Sequence, residues 1–548
     1  MTSQDMVPAR EWGGRLPVAV VFPEAEPQAL STLGWQSVFQ ELGYDHGFYV
    51  ERFFWSDELE KACSPDSDKQ LRHFPLICFS LNFEGDFLSL IKILQAEEIP
   101  VCAVERSDWP LIMAGGPIAF LNPFPVLPSL DFLYVGESED KFRVIAKEIS
   151  RSWLSGRTRD HALEKIRALP GILVQGRKNR VRRQISMTQP GLLPHPVHSR
   201  FVSSRSVFRD SFLVEINRGC PYGCRFCAAG FIYRPPRVAD LDKLKRIIET
   251  GSPRKVGLVG TALTDWEHLR PFLDWLHSRK IKFSLSSLRA DGLDMDFLRF
   301  LRHTGIRSIT LAVEGISRTL RTAINKHFNE DKFFQAVENI SGLRFNTLKL
   351  YFILGLPGET LDDFHELELF LERLDQARKS GQGGRSKGVE LISISASMFV
   401  PKPWTPLQWA PMDTEDIFLE KTRRFKKICA RYKGVRFQAE KPFGAMLQGL
   451  LSRGDENIHE LLVMAAEKKG SWRKAIQAWP GKMDDYVHRE FSMDTVFAWD
   501  IIDPGVEKKY LEKEWARYYK ALLTPPCPDQ PCEKCGRCGM DRFLATSP

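Results

Sequence analysis

The clearest chemistry in this sequence lies in three cysteines that share one short stretch. Cys220, Cys224 and Cys227 stand at C-x3-C-x2-C spacing, and the alternating apolar run before them, Phe212 to Ile216, predicts a strand with one buried face. Three thiolates this close in sequence can bind one metal centre, whereas iron–sulfur clusters and structural zinc sites ordinarily take four ligands. The spacing therefore predicts a cluster with one iron left open. A structural zinc loop is the alternative, and it needs a fourth nearby ligand that this stretch lacks.

Four more cysteines lie near the end of the chain, in CPDQPCEKCGRCG. Cys527, Cys532, Cys535 and Cys538 stand at C-x4-C-x2-C-x2-C spacing, and four thiolates complete a tetrahedral site. The motif predicts a bound metal, and its spacing leaves zinc and a second [4Fe-4S] cluster both open. The remaining four of the eleven cysteines are scattered, and we expect them to be small buried hydrophobic residues.

Length and composition set the class of protein. With 548 residues, of which 43% are apolar, the chain is long enough to form three separate cores. No run of about 18 uncharged apolar residues occurs, and the N-terminus lacks the apolar core of a secretory signal. We therefore expect a cytoplasmic protein without a transmembrane segment. The formal net charge of +8 is modest for this length and fits an anionic substrate, nucleic acid or simple solubility.

Short apolar strands alternate with helices in the first part of the chain. Strands are predicted at Leu16 to Phe22, Leu76 to Leu81, near Val101, at Leu111 to Ala114 and at Phe132 to Val135. This alternation is typical of a doubly wound, Rossmann-like parallel sheet, which we assign, with a linker, to residues 1–195. Such sheets bind ligands at the carboxyl ends of their strands. Two predicted loops at those ends contain Gly115, Gly116, Gly136 and Glu137.

The first three cysteines, the strand before them and the aromatic Phe226 resemble the radical S-adenosylmethionine (SAM) superfamily. In that family the amino and carboxylate groups of SAM chelate the open iron of a [4Fe-4S] cluster. The resemblance implies that an electron from the cluster cleaves SAM to methionine and a 5′-deoxyadenosyl radical. It also implies a low-potential electron donor such as flavodoxin or ferredoxin.

The resemblance implies the fold of the middle of the chain as well. Six strands are predicted at Phe212 to Ile216, Val256 to Gly260, Phe283 to Leu288, Ser308 to Val313, Leu348 to Leu354 and Glu390 to Ala396. Six is the count of the partial (β/α)6 TIM barrel that the superfamily shares, and we assign it to residues 196–412. The active site of such barrels lies at the carboxyl ends of the strands. Residues 413–548 follow as a helical region that contains the second cysteine motif.

Several residues near those strand ends match positions that bind SAM in the family. They are Phe226, Gly260, Thr261, Ser286, Arg289, Glu314, Ser317, Ile353 and Gly355. A planar guanidinium such as that of Arg289 suits a carboxylate, and an ionised Glu314 accepts hydrogen bonds from ribose hydroxyls or an ammonium group. Tyr233 and Arg234, just after the cysteines, are predicted to position an anion. Structural salt bridging is the alternative for Arg289 and for the residues after the cysteines.

The first part of the chain resembles the cobalamin-binding-like domain that precedes many radical SAM enzymes. The phrases MAGGPIAFLNPFP and YVGESE carry this resemblance. The D-x-H-x-x-G signature of one cobalamin class is absent, and the nearest match is the contiguous Asp45-His46-Gly47, so we expect no histidine beneath the cobalt. The resemblance implies cobalamin-dependent methylation of an unactivated carbon. The alternative is a radical SAM enzyme that cyclises, couples or inserts sulfur and whose cobalamin domain is vestigial.

The sequence leaves the substrate open. A small molecule, a lipid, a peptide and RNA are all compatible with the barrel. An RNA-binding protein with structural clusters is a remote alternative, because the basic run from Arg177 to Arg183 could touch nucleic acid but lacks interleaved aromatic residues. The segment FVPKPWTPLQW, from Phe399 to Trp409, predicts either a wall of the substrate or cobalamin site or a plug packed between domains.

Overall fold

The computed structural model describes residues 12–139, 141–189, 191–384 and 388–528, together with residues 532, 534 and 535. The first part folds as one sheet. Its strands are Leu16–Phe22 (β1), Phe48–Ser56 (β2), Lys61–Cys63 (β3), Leu76–Ser80 (β4), Leu111–Gly115 (β5), Phe132–Tyr134 (β6) and Ile172–Leu173 (β7). The order across the sheet is β3-β2-β1-β4-β5-β6-β7; the edge strands β3 and β7 are antiparallel and the others are parallel.

Both faces of this sheet are buried. The helices of this part are Glu26–Ala29 (α1), Leu33–Gly43 (α2), Asp86–Ala96 (α3), Phe142–Leu154 (α4) and Arg159–Arg167 (α5). Along β1, Val18 and Val20 belong to one hydrophobic cluster, whereas Ala19 and Val21 belong to another, as expected for a strand covered on both faces. The chain adds β2 on one side of β1 and then β4 on the other. The strand order therefore switches between β1 and β4, where open sheets of this kind bind ligands.

The linker that follows is tied into the fold at several points. Its strands are Val181–Arg182 (β8), which pairs with residues 502–503, and Leu192–Leu193 (β9), which pairs with residues 238–239. Arg183, in the basic run, is only 2% exposed and donates a hydrogen bond to the carbonyl of Arg234. Part of the basic run is therefore used inside the protein, which disfavours a contact of this run with RNA.

A row of parallel strands forms the middle of the chain. The strands of this part are Phe212–Glu215 (β10), Asn217–Arg218 (β11), Arg237–Ala239 (β12), Lys255–Val259 (β13), Lys282–Ser284 (β14), Ser308–Glu314 (β15), Thr347–Leu354 (β16), Leu391–Met398 (β17) and Val435–Ala439 (β18). Strands β11 and β12 pair antiparallel in a small sheet with β9 and are not part of the row. One parallel sheet has the order β10-β13-β14 and another β15-β16-β17-β18. A parallel bridge between Leu288 and Leu311 joins the two. The carboxyl ends of the strands in these two parallel sheets therefore meet at one edge.

Helices alternate with these strands and cover one face of the row. They are Ala229–Ile232 (α6), Leu241–Gly251 (α7), Leu269–Ser278 (α8), Met295–His303 (α9), Arg318–Ala323 (α10), Glu330–Gly342 (α11), Leu361–Gln382 (α12) and Glu415–Cys429 (α13). Along β17, Ile392 and Ile394 are buried in the hydrophobic core, whereas Ser393 and Ser395 on the opposite face are only half-buried. The uncovered face of the row is therefore lined by polar side chains.

The last part of the chain packs on both preceding parts. It contains Pro442–Arg453 (α14), Ile458–Glu467 (α15), Trp472–Ala478 (α16), Ile502–Asp503 (β19) and Lys508–Tyr519 (α17). Helix α15 lies against α3, and a 2.7 Å hydrogen bond joins the Ser129 hydroxyl to Nε2 of His459. Within the described residues, the helices lack the combination of length and apolar character that crossing a bilayer requires.

The observed fold agrees with the expected α/β class built on parallel sheets, but one predicted strand is wrong and two of the longer strands were missed. The predicted strand near Val101 is wrong, because Ala103–Glu105 forms a short 3-10 turn there. Strands β2 and β18 were not predicted, since charged residues interrupt their apolar patterns. In β2 these are Glu51 and Arg52, and Arg52 is buried because it forms an ion pair with Asp66.

Candidate active site

The three cysteines of the first motif line one cavity of about 200 Å³ at the carboxyl ends of the middle strands. Gly219, just before them, has φ +83°, and a Cβ atom added there would lie 2.5 Å from the carbonyl oxygen of Tyr233. Only glycine fits this turn without moving the backbone. The sharp turn at the end of the strand is what directs the thiol-bearing loop over the mouth of the strand row.

Arg225 anchors this loop from below. Its guanidinium is fully buried, lies 2.9 Å from a carboxylate oxygen of Glu514 on α17, and donates to the backbone carbonyls of Ala323 and Leu522. On the other side, the Asn325 amide donates to the carbonyl of Gly223 at 3.1 Å. The position of the thiols therefore depends on contacts with α10, α17 and the segment after α17.

Burial sets the protonation of the thiols in the metal-free chain. It raises the pKa of Cys220 to about 11 and that of Cys224 to about 12, and it also raises the pKa of Cys227. A metal centre binds thiolates, so its binding must release protons from these neutral thiols. Metal binding at this loop should therefore become tighter as the pH rises.

Charges of both signs face the same cavity. Arg289, Lys326 and His327 line it beside the carboxylates of Glu314 and Asp291. The Lys326 ammonium lies 3.3 Å from a carboxylate oxygen of Glu314, and the Arg289 guanidinium lies 2.7 Å from Asp291. This lining suits a ligand that carries both a carboxylate and an ammonium group, because each of those charges finds a partner.

Two of these residues are held in set positions. Glu314 ends β15 with φ +70°, in the left-handed region that non-glycine residues seldom adopt. The alternation of side chains along β15 therefore breaks at Glu314. The Arg289 guanidinium stacks on the ring of Tyr222, 4.0 Å from the ring centroid, and Tyr222 lies between Cys220 and Cys224 in the sequence. The loop thus fixes a cation beside its own thiols.

A second, larger cavity of about 370 Å³ lies at the carboxyl edge of the N-terminal sheet, where that edge faces the middle strands. Gly115, Gly116, Gly136 and Glu137 line its sheet side, and most of its surface is apolar. Gly116 has φ +104°, and a Cβ atom there would lie 2.4 Å from the carbonyl oxygen of Leu81. The tight turn keeps the loop flat against the sheet and leaves the space in front of it open.

A buried ion network joins the two sides of this larger cavity. The Glu137 carboxylate accepts two hydrogen bonds from Arg237, at 2.6 and 2.8 Å, and lies 2.9 Å from Arg218. Burial alone would raise the pKa of the Glu137 carboxyl, but the two guanidiniums outweigh it and hold the pKa well below its usual range. Glu137 is therefore a charged link between the sheet and the strand row.

A third cavity, of about 590 Å³, lies on the uncovered face of β15 to β18. Its lining mixes apolar groups with polar side chains, and the polar ones include Tyr351, Ser395, Ser397, Gln438 and Glu440. It shares Ser287, Ala312 and Glu314 with the thiol cavity, and the thiol cavity shares Thr261 with the larger cavity at the sheet. The three cavities therefore form a continuous series with the thiols in the middle.

The family assignment follows from the match of two stretches to family profiles. Residues 214–371, which contain the three-cysteine loop, match the profile described as Radical SAM superfamily, and residues 34–174 match the one described as Radical SAM proteins, N-terminal. The chain belongs to the radical SAM superfamily. The resemblance drawn from Cys220, Cys224, Cys227 and the strand before them is thus confirmed.

Two proteins of known sequence and one solved structure are similar to this radical SAM protein. It is 27% identical over 449 residues to the uncharacterized protein MJ0966 of Methanocaldococcus jannaschii, covering 81% of this chain and 90% of that protein. It is 28% identical over 243 residues to 2-(S-pantetheinyl)-carbapenam-3-carboxylate methyltransferase of Streptantibioticus cattleyicolor, covering 42% of this chain and 32% of that protein. The structure of the radical SAM methyltransferase TsrM of Kitasatospora setae, with cobalamin and a [4Fe-4S] cluster, matches with a TM-score of 0.52 at 12% identity, covering 85% of this chain and all of that one.

The predicted SAM-binding residues of this radical SAM protein separate into two groups. Phe226, Thr261, Arg289 and Glu314 line the thiol cavity, and Gly260 lines the adjoining larger one. The others do not line the thiol cavity. Ser286 is replaced there by its neighbour Ser287, Ser317 is fully buried and caps α10, and Ile353 is buried. Gly355 packs so closely on Phe418 that a Cβ atom would lie 2.3 Å from its ring.

Tyr233 and Arg234, predicted to position an anion, line cavities other than the thiol cavity. Tyr233 lines the larger cavity at the sheet, where its ring packs edge-on against Phe120. Arg234 lines a fourth cavity, of about 550 Å³, on the far side of the thiol-bearing loop. Their positions therefore favour a contact with a ligand of the sheet and with the C-terminal cysteines, respectively.

That fourth cavity holds the described part of the second cysteine motif. Cys527, Cys532 and Cys535 line it, whereas Cys538 lies outside the described residues. In the part of the chain that the structure describes, no three histidine, cysteine or acidic side chains approach closely enough to hold a single metal ion.

Sequence reasoning missed several residues of the site. Tyr222, Lys326 and His327 line the thiol cavity, and Asn217 and Arg218 line the larger one. Lys326 and His327 follow α10, far from any strand end in sequence. The segment Phe399 to Trp409 proves to be a packing element, since Trp404 and Trp409 are at most 1% exposed.

Proposed function

We propose that this protein methylates an unactivated carbon of its substrate, with SAM bound at a [4Fe-4S] cluster on Cys220, Cys224 and Cys227 and with cobalamin in the larger cavity. The observation that carries the proposal is the series of cavities. The thiol cavity shares Thr261 with the larger cavity at the sheet, and it shares Glu314 with the third cavity, which lies on the uncovered face of the strand row and is named the strand-row cavity. Transfer of a methyl group from SAM to a carrier and then to a substrate requires neighbouring sites of this kind. The name of the methyltransferase relative from Streptantibioticus cattleyicolor supports the same class of reaction.

The residues around the thiols fit a cluster that carries SAM. Three thiols supply ligands for three irons, and Arg289, Lys326 and Glu314 complement a carboxylate and an ammonium group. When bound, the cluster supplies the electron that cleaves SAM, and cobalamin supplies a carrier for the methyl group. The protein's own part is to hold the charged ends of SAM and to keep the three cavities in line.

Thr261 is the residue that holds the boundary between the first two cavities. Its hydroxyl donates to the carbonyl of Gly219 at 2.6 Å, and its backbone amide donates to the Asn217 side chain at 2.8 Å. Both bonds fix the turn that precedes Cys220. We infer that Thr261 sets the distance between the thiol-bearing loop and a ligand in the larger cavity.

The larger cavity, most of whose surface is apolar, suits the flat face of a broad ring cofactor at the switch point of the sheet. It lies in front of the flat loop at Gly115 and Gly116, and its lining residues, all within the described ranges, include no histidine. We propose that cobalamin binds there without a protein histidine on the cobalt. We also propose that the strand row is the partial barrel of the superfamily and that the sheet is its cobalamin-binding domain.

The strand-row cavity is the proposed substrate site. Hydroxyl, amide and carboxylate groups face it, and the Gln438 amide donates to the Ser395 hydroxyl at 2.8 Å. Glu314 and Glu440 are the charged side chains among its described lining residues. A neutral or cationic part of a small molecule or peptide suits this lining better than the phosphates of RNA or a phospholipid.

The test is a purification without oxygen followed by reconstitution with iron, sulfide and hydroxocobalamin. We expect the protein to show cobalamin absorption after gel filtration and to convert SAM to 5′-deoxyadenosine under a strong reductant. The conversion should be lost in Cys220→Ala, Cys224→Ala and Cys227→Ala. Conversion that persists in any of the three contradicts the cluster site. Failure to retain cobalamin while SAM is still cleaved removes the methyltransferase proposal and favours cyclisation, coupling or sulfur insertion.

A further inference from the structure

The C-terminal cysteines lie directly behind the loop that bears the first three. The backbone amide of Cys527 donates a 2.8 Å hydrogen bond to the carbonyl of Pro221, the residue after Cys220. Pro221 and Gly223 line the same 550 Å³ cavity as Cys527, Cys532 and Cys535. The two cysteine groups therefore occupy opposite sides of one short loop.

The size and lining of this cavity suit a cluster more than a zinc ion. Zinc holds its ligand atoms about 2.3 Å away, so a zinc site closes around little more than the ion itself, whereas this cavity measures about 550 Å³. An iron–sulfur cluster is larger and spreads its ligands farther apart. Arg234, Lys513, Arg517, Lys520 and Lys534 also face the cavity, and their charges complement the negative charge that thiolates bring.

Arg234 links the two groups of cysteines. Its guanidinium is buried, donates to the carbonyl of Gly230 at 2.6 Å and stacks between the rings of Phe231 and Tyr510. Gly230 follows Cys227 by three residues, so the same side chain contacts the first loop and faces the second motif. A fixed cation at this place complements the negative charge of thiolates on both sides of the loop.

We propose that Cys527, Cys532 and Cys535 hold a second iron–sulfur cluster and that this cluster passes single electrons to the first one. The external donor is an acidic, low-potential redox protein that docks on the basic face of α17. In each transfer the donor loses one electron, the second cluster is reduced, and it returns to its oxidised form when the first cluster takes that electron. The cluster assignment stands independently of the proposed function, whereas the relay rests on it.

Lys513, Arg517 and Lys520 make up the basic face, since they recur at helical spacing on α17 and all are exposed. They lie at the rim of the cavity that holds the C-terminal cysteines. An acidic partner bound there would place its own redox centre next to the second cluster and away from the SAM cavity. Charge complementarity of this kind raises association rates and weakens as salt is added.

The cluster is tested by counting metals in the full-length protein reconstituted without oxygen. We expect Cys527→Ser/Cys532→Ser to lose about half of the iron and Cys220→Ala/Cys224→Ala to lose the other half, if both clusters have the same iron content. Cys63→Ser is the control and should lose none. Iron retained at the first site of the C-terminal variant would also show that this variant is folded. Stoichiometric zinc in the wild type that the C-terminal variant loses, with iron unchanged, would overturn the proposal.

The relay is tested by stopped-flow reduction of the first cluster. Reduced flavodoxin or ferredoxin should reduce it at least ~10-fold more slowly in Cys527→Ser/Cys532→Ser and in Lys513→Glu/Lys520→Glu than in the wild type. Titanium(III) citrate, a small reductant, should act at the same rate on all of them. The double exchange Lys426→Glu/Lys427→Glu on α13 is the matched charge control. Equal rates with the protein donor in the wild type and the C-terminal variant would overturn the relay.

Discussion

The strongest stability prediction concerns Arg225→Met, which removes the cation beneath the first cysteine loop. The Arg225 and Glu514 side chains are at most 3% exposed and lie 2.9 Å apart. Removing one partner of such a buried pair typically costs about 3–5 kcal/mol, because the other charge is left without compensation. Glu514 keeps a hydrogen bond from the Thr524 hydroxyl at 2.8 Å and an ion pair with Arg517 at 3.5 Å, so we expect the lower end of that range, about 3 kcal/mol.

Hydrogen exchange of the α17 amides, followed by mass spectrometry, measures this loss. About 3 kcal/mol corresponds to roughly a 100-fold faster exchange, since each tenfold change is about 1.4 kcal/mol. Methionine keeps much of the apolar volume of arginine, which limits the effect to the lost charge and hydrogen bonds. The loop that carries the cysteines should also release iron to a chelator faster.

Two further variants isolate the cause. Arg225→Met/Glu514→Gln removes both charges, and we expect it to recover most of the protection, because a neutral pair avoids the buried carboxylate. Arg423→Met breaks the exposed ion pair with Glu420 and should change the exchange by a few-fold at most. If Arg225→Met exchanges like Arg423→Met, or if the double variant is no better than the single one, the reasoning is refuted.

Three other predictions concern buried polar groups. Burial raises the pKa of the Asp86 carboxyl to about 7, so the neutral carboxyl stabilises the fold near pH 4 and this contribution is lost as the pH rises through 7. Asp86→Asn should therefore raise the unfolding temperature at pH 8 and leave it nearly unchanged at pH 4. Burial lowers the pKa of His459 to about 4, so the free energy of unfolding falls by roughly 3 kcal/mol as the pH drops from 6.5 to 4. His459→Gln should flatten the dependence of the melting temperature on pH over this range. An unchanged slope would exclude His459 as its source. Thr261→Val removes the hydroxyl that bonds the Gly219 carbonyl and should speed iron release to a chelator, whereas Thr261→Ser should restore the wild-type rate.

Local patterns were enough to predict the chemistry and the coarse fold. The thiol spacing of Cys220, Cys224 and Cys227 predicted one shared centre, and the structure places the three side chains on one cavity. All six predicted strands of the middle region exist, because each is an apolar run bounded by turn residues. Arg289 and Glu314 could be predicted to line this cavity because they lie at or after strand ends, where parallel sheets bind their ligands. Their contact with SAM stays a prediction.

Long-range contacts explain most of what the sequence did not predict. Arg225 and Glu514 are 289 positions apart, and neither has a local pattern that indicates the other. Strand β18 was missed because it lies at the edge of its sheet and its alternation includes the exposed Arg436 and Gln438. Ser286 was predicted at the thiol cavity, but its neighbour Ser287 lines it, because β14 ends at Ser284 and the irregular loop after it sets which side chain faces the cavity.

The central claim is that the first three cysteines hold a cluster whose open iron binds SAM. Electron paramagnetic resonance of the reduced, reconstituted protein tests it most directly. We expect addition of SAM to shift the signal of the reduced cluster in the wild type and in Cys527→Ser/Cys532→Ser, and we expect that SAM-responsive signal to be missing in Cys220→Ala. A cluster signal that SAM leaves unchanged in the wild type, or one that responds to SAM without Cys220, would contradict the account.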